Sequence, residues 1–189
     1  MKKKLTLVLA FVMVLTMCLS FASCSKAEGK LVVGVDNAFP PMGFVDDKGN
    51  LTGFDIELAK EVGKRLNLDV EIQAIDWKRK QDELDAGNVD CLWNGLSKNE
   101  KREENLNLSI PYMNNNQVIM VKTDASYQNL ADLAGKKLAV QAGSSAYDAL
   151  QAATEFKNSL GEVVQLNDYA KATQEIKNGV VDAIAIDEV

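Results

Sequence analysis

The 189-residue chain contains no histidine. That absence excludes Ser-His-Asp and Cys-His catalysis and every histidine-ligated metal site. Cysteine is scarce: Cys18, Cys24 and Cys91 are all there is. The first two lie in or at the end of a leader-like segment, so the rest of the chain keeps one thiol and no internal disulfide. Cys91 sits in an apolar run and reads as a buried, inert thiol, not a nucleophile. Positive charge is also short, with 21 Lys and Arg against 27 Asp and Glu, a formal charge of −6. With no basic run outside the extreme N-terminus, the chain is ill suited to a phosphate backbone, and nucleic acid is not an expected partner. What remains, 47% hydrophobic and 25% charged, is ordinary globular composition. The length suits one to one and a half domains.

The N-terminus reads as an address. Lys2, Lys3 and Lys4 precede the 15-residue apolar stretch 5–19, and Phe21-Ala22-Ser23-Cys24 follows. A membrane-spanning helix needs about 20 apolar residues, so this basic–apolar–small series suits export better. Its Ala-Ser-Cys ending resembles the bacterial lipobox, whose cysteine thiol is acylated. The expected division is a lipoprotein signal peptide over 1–23, then a lipidated Cys24 and tether over 24–30. Plain secretion is the fallback. Removing 1–23 takes away three lysines and no acid, leaving 18 basic against 27 acidic side chains and a charge of −9.

Beyond the tether, strands and helices alternate. Apolar runs predict strands over 30–35, 70–74, 89–93, 117–122, 138–141, 162–166 and 180–186. Helical spacing of Ile56, Ala59, Val62 and Leu66 predicts a helix, with Asp55 and Glu57 in the first turn, where the dipole favours acids. Residues 77–86 offer a weaker helix, because 78–83 is almost wholly polar. Gly143-Ser144-Ser145 opens another, serine being a good N-cap, and 169–177 reads as a last helix. Such alternation implies a mainly parallel sheet covered on both faces. Gly87-Asn88-Val89-Asp90 and Gly179-Val180-Val181-Asp182 each lead from a helix into an apolar strand. That repetition suggests two α/β units, with a ligand beyond the carboxyl ends of their strands. The sequence stops at Asp187-Glu188-Val189 with no helix after the strand, and reads as a fragment.

Several motifs in order resemble one family. Gly53-Phe54-Asp55-Ile56-Glu57-Leu58-Ala59, Glu100-Lys101-Arg102 followed by Pro111-Tyr112, the segment 132–145, and 182–189 are similar to the extracytoplasmic polar-amino-acid-binding proteins of ABC importers. The resemblance runs from about Leu31 to the end. It implies an α/β, two-lobed periplasmic-binding-protein-like fold (type II) with the cleft between lobes. Lobe 1 would span 31–116, its N-terminal part, and an incomplete lobe 2 would span 117–189, with a first crossing near 115–118 and the return segment missing. It further implies a monomer that captures a polar amino acid and passes it to an ABC permease, with no cofactor, no metal and no catalysis.

The resemblance also assigns roles. Arg102 would grip the α-carboxylate, since guanidinium presents a rigid fork of donors; alone it reads as a surface arginine in a charged run. Asp187 would take the α-ammonium; alone it reads as a loop acid. Ser144 and Ser145 would offer a carboxylate free amides at a helix start, or cap the helix, or both. Asn94, Gly95 and Ser97 match the polar ligand loop, and Gln141 belongs to the matching segment before Ser144. Phe39 and Trp77 match aromatic positions that sandwich the ligand, although aromatics otherwise read as core. Asp36 matches a position facing the ligand side chain and equally reads as a turn acid. Trp93 reads as core or pocket wall. Two rivals share the scaffold. A dehydratase would need Asp36 or Asp187 as general acid or base, and a sensor domain would need a membrane-spanning continuation.

Overall fold

The computed structural model describes residues 29–189. The expectations for the signal peptide and Cys24 lie outside the described residues.

The first sheet forms around β1 (Lys30–Val35), a strand with Val33 and Val35 wholly buried. It runs parallel to β5 (Asp69–Ala74) on one side and β6 (Cys91–Leu92) on the other. A small antiparallel sheet, β2 (Ala38–Phe39), β3 (Gly43–Val45) and β4 (Leu51–Thr52), occupies the turn-rich segment. Helix α1 (Phe54–Leu66) starts without a side-chain cap, at Gly53 with φ 137°. A Cβ at Gly53 would collide with the Met42 carbonyl, so glycine alone fits. Asp55 and Glu57 in the first turn and Lys64 and Arg65 in the last match the helix dipole. Asn67 closes the helix in the left-handed conformation, its N–H returning to Gly63 and Lys64.

Two expected elements change. The 77–86 helix divides into a 3₁₀ turn (Trp77–Arg79) and α2 (Lys80–Asp85). Asp76 accepts a bond from the Lys78 N–H, capping the tighter turn first. The 89–93 strand contracts to Cys91–Leu92, because the Asp90 side chain takes the Val32 N–H at 2.7 Å in place of a backbone acceptor. Cys91 is half-buried, and burial, then Asp90, pushes its thiol upward in pKa. Trp93 packs beside Val33, Val35 and Ile56, with its indole N–H unpartnered among the described residues.

A short helix α3 (Glu100–Glu103) and a long connection lead into the second sheet, ordered β7-β10-β8-β9. These are β7 (Gln117–Val121), β8 (Lys137–Gln141), β9 (Glu162–Leu166) and β10 (Ala183–Asp187). Strand β10 lies centrally, antiparallel to β7 and parallel to β8. It begins three residues later than expected, since Asp182 folds back to accept the Lys137 N–H and the Tyr127 hydroxyl. Helices α4 (Ser145–Ala152), α5 (Thr154–Ser159) and α6 (Tyr169–Lys177) cover the sheet, α5 being absent from the sequence reading. Ser144 and Asp168 cap α4 and α6 through the N–H groups of Tyr147 and Lys171. The two units also touch through apolar contact: Phe39 and Met42 share a buried cluster with Tyr169, Ala172 and Ile176 of α6.

Candidate functional site

Strand ends converge on one cleft. Asp36 follows β1, Gln141 ends β8, Asp187 ends β10, and Asn94 to Ser97 follow β6. Carboxyl ends of open α/β sheets are where ligands sit, because neighbouring connections diverge there. Asp36, Phe39, Trp77, Asn94, Gly95, Arg102, Gln141, Ser144, Ser145 and Asp187 line one cavity. Leu96 and Tyr169 complete its wall; neither was singled out in the sequence. Ser97 stands behind, bonded to both Asp187 and Arg102. The cavity measures about 10 Å³, the size of a single water.

Arg102 is only 8% exposed. Its backbone is fixed by Asn99, whose side chain accepts the Arg102 N–H at 2.9 Å and caps α3. The guanidinium spans the cleft: Nη1 donates to the Ser97 carbonyl at 2.6 Å and to the Ser145 hydroxyl of the other lobe at 2.8 Å. Nε and Nη2 find no acceptor among the described residues, which leaves an edge of the fork free for a planar anion. Desolvation lowers the Arg102 pKa, opposed by Asp148 and Asp187.

Asp187 is likewise 8% exposed. Asn115 and Gln117 donate to its Oδ1, each at 2.5 Å, and Ser97 donates at 3.2 Å. Oδ2 receives no bond among the described residues. One oxygen is therefore spent on orientation while the other is unengaged among the described residues. Neither amide was picked out from the sequence; both lie on the link into β7, where the crossing itself was expected.

The third charged group, Asp36, is buried and sits between lobes. Its Oδ1 accepts the Ala38 N–H at 2.9 Å, and Oδ2 accepts Gln141 Nε2 at 2.5 Å. Burial raises its pKa against these bonds, and Asp168 and Asp76 raise it further. This end of the cleft is acid-rich. Phe39 and Tyr169 meet beside it with ring centroids 5.2 Å apart. The Asn94 amide is 2% exposed, and neither of its polar atoms is paired among the described residues. A buried unpaired polar group costs roughly 1–3 kcal/mol, so such atoms mark a place awaiting partners.

A larger cavity of about 930 Å³ opens beside β6, walled by Leu58, Val62, Leu84, Leu108 and Ile110. It touches residues 94–97 but excludes Arg102, Asp36 and Gln141, so it lacks the opposed charges of the cleft. Among the described residues, no three His, Cys, Asp or Glu side chains gather as a metal would need. None of the described helices is long and apolar enough to cross a membrane.

Residues 31–186 match the family model of bacterial extracellular solute-binding proteins, family 3. The chain belongs to that family. It is 28% identical over 167 residues to the L-cystine-binding protein TcyJ of Escherichia coli (strain K12), covering 87% of this chain and 61% of that protein. The chain thus spans about three fifths of that relative's length. It is 30% identical to the arginine-binding extracellular protein ArtP of Bacillus subtilis (strain 168), covering 100% and 74%. A histidine-bound substrate-binding protein of an ABC uptake transporter from Streptococcus pneumoniae superposes with TM-score 0.82 and 37% identity, over 85% of this chain and 66% of that one. The fold is accordingly the two-lobed type II architecture of amino-acid-binding proteins. Another similar structure, at TM-score 0.77 and 34% identity over 84% and 70%, is an ancestral amino-acid-binding protein described as a precursor of cyclohexadienyl dehydratase.

Proposed function

We infer that this protein captures an amino acid outside the cytoplasmic membrane and hands it to an ABC permease, without performing chemistry. The observation that carries this reading is the clamp: a buried arginine and a buried aspartate, each with a free edge on one cleft. Arg102 takes the α-carboxylate, with Ser145 and the start of α4 beside it. Asp187 takes the α-ammonium through Oδ2, held in place by Asn115, Gln117 and Ser97. Asn94, Gly95 and Ser144 line the space between, and Phe39 and Trp77 flank the ligand's aliphatic part.

Asp36 favours a finer reading. The zwitterion uses one cation and one anion; a third buried charge remains, in an acid-rich corner with an amide as its side-chain partner. A ligand with a cationic side chain matches it; of the relatives above, one is named for arginine and one holds histidine, while TcyJ is named for cystine. Gln141 then turns from Asp36 to its second acceptor, the Asn167 carbonyl at 3.1 Å. A general acid working on a leaving hydroxyl would stand against an empty subsite, whereas both clamp charges here suit an intact amino acid. Residues 1–23 act as the signal peptide, Cys24 carries the lipid anchor, and the protein works as a monomer.

Calorimetric titration of the complete protein with the twenty amino acids and cystine tests the function. Arginine, lysine or histidine should bind tightest. Tight binding of an uncharged side chain alone would overturn the cationic preference, and uniform absence of binding would overturn the receptor reading.

A further inference from the structure

Lys80 is a half-buried cation with no place in the clamp. It begins α2 inside the polar stretch 78–83, and its ammonium donates to the Gly143 carbonyl at 2.7 Å, 63 residues away, and to the Trp77 carbonyl at 3.2 Å. The Nζ also lies 5.3 Å from the centroid of the Trp77 ring. Gly143 immediately precedes Ser144, which caps α4, and Ser145, which accepts Arg102. Two cations from one lobe therefore brace the same turn of the other. The approach is tight: a Cβ on Gly143 would stand 3.3 Å from Lys78 Cα and 3.5 Å from Lys80 Nζ.

The charges facing Lys80 are mixed. Desolvation and then Arg102 bring its pKa down to about 8; Lys101 acts in the same direction, and Asp148 and Asp76 oppose it. Asp148 is itself engaged with Lys101 at 3.5 Å. Lys80 and Arg102 thus share one helix start, and the acids facing Lys80 do not offset its desolvation and the neighbouring cations.

We propose that Lys80 is a specificity-determining residue that makes lobe closure depend on the ligand's carboxylate, because an anion beside Arg102 and the α4 start offsets the repulsion between two desolvated cations. An amino acid brings that anion, and its decarboxylated amine does not. The inference rests on the amino-acid reading above. Lys80→Met removes charge and donor, Lys80→Gln keeps a donor, and Lys80→Arg keeps the charge.

The complete protein and these three variants are titrated with L-arginine, L-histidine and L-cystine and with agmatine, histamine and cystamine. For the tightest pair, wild type and Lys80→Arg should favour the amino acid over the amine strongly. Lys80→Met and Lys80→Gln should lose about tenfold or more of that preference. Titration at pH 8.5 in two buffers of different ionisation enthalpy gives an independent readout. Closing around the amine strips a proton from Lys80, whereas the carboxylate holds it there, so wild type should bind more protons with the amino acid than with the amine. That difference should shrink in all three variants, which have no lysine to titrate. Wild-type discrimination in both neutral variants, or an unchanged proton difference, would overturn the role of Lys80 and leave the receptor reading intact. Binding to wild type of none of the six compounds and none of the other amino acids would overturn both.

Discussion

Replacing Arg102 by alanine should separate binding from folding. The guanidinium is almost wholly excluded from water, and desolvation is the largest influence on it. Within the protein it makes two hydrogen bonds, to the Ser97 carbonyl and the Ser145 hydroxyl. Burying a cation costs several kcal/mol after relaxation, about what two charge-assisted bonds of roughly 1.5–3 kcal/mol each return. Chemical unfolding of Arg102→Ala without ligand should therefore shift by no more than about 1–2 kcal/mol in either direction. Binding is another matter. With the arginine gone, the ligand's carboxylate is buried without its partner, at a cost of about 2–5 kcal/mol, roughly thirty- to several-thousand-fold in affinity. Arg102→Lys should recover only part of this, since ammonium keeps the charge but loses the fork. Lys101, with its side chain 77% exposed, reaches Asp148 across the cleft at 3.5 Å, and Lys101→Ala should cost at most about 1 kcal/mol. Calorimetry on the four proteins, beside urea unfolding of each, reads both quantities. Equal ligand affinity in wild type and Arg102→Ala would refute the clamp.

Asp187→Asn should weaken amino acids by about 2–5 kcal/mol yet spare an analogue lacking the α-amino group, measured by the same titration. Asp36 has its pKa raised by burial, so its charge is lost on acidification above the ordinary aspartate value of 3.8. Affinity for L-arginine should accordingly begin to fall above that pH, and in Asp36→Asn the fall should vanish from a lower starting affinity. A Cβ on Gly43 would overlap Asn94 Oδ1 and stand 2.8 Å from the Asp36 carbonyl. Gly43→Ala should thus destabilise by about 1–3 kcal/mol in urea unfolding and displace the ligand loop in a crystal structure. Cys24→Ser should move the protein from membrane to soluble fractions after export, and soluble wild-type protein would refute the anchor.

Long apolar strands were legible in the sequence because burial on both faces leaves continuous Val, Ile and Leu. The strands at 30–35 and 162–166 and the helix at 169–177 appear with their expected bounds. Edges were less legible: β6 is shortened by the Asp90 side chain, and β10 is delayed by Asp182, both local competitions that hydropathy ignores. Helix α5 escaped notice because Thr154–Ser159 buries no residue and so carries no periodic signal. At the cleft, the resemblance supplied positions that the structure gathers around one cavity. It was silent on Tyr169, Lys80, Asn115 and Gln117. Tyr169 read only as the start of a helix, and Lys80 as part of the almost wholly polar stretch 78–83. Lys80, Asn115 and Gln117 take their environments from contacts 18 to 72 residues apart in sequence, and Tyr169 from Phe39, beyond the reach of any local pattern.

An amino acid does not pass into a space of about 10 Å³. On the function proposed above, capture begins on one exposed lobe and finishes when the strand ends meet around the ligand. Escape then follows the reverse order, so residence time equals the waiting time of a unimolecular opening, whatever the concentration outside. The contacts that set that clock join protein to protein: Arg102 to Ser145, Lys80 to Gly143, Phe39 to Tyr169. A membrane partner that prised them apart would time delivery by mechanical work on the lobes, with the chemistry of the clamp left as it was.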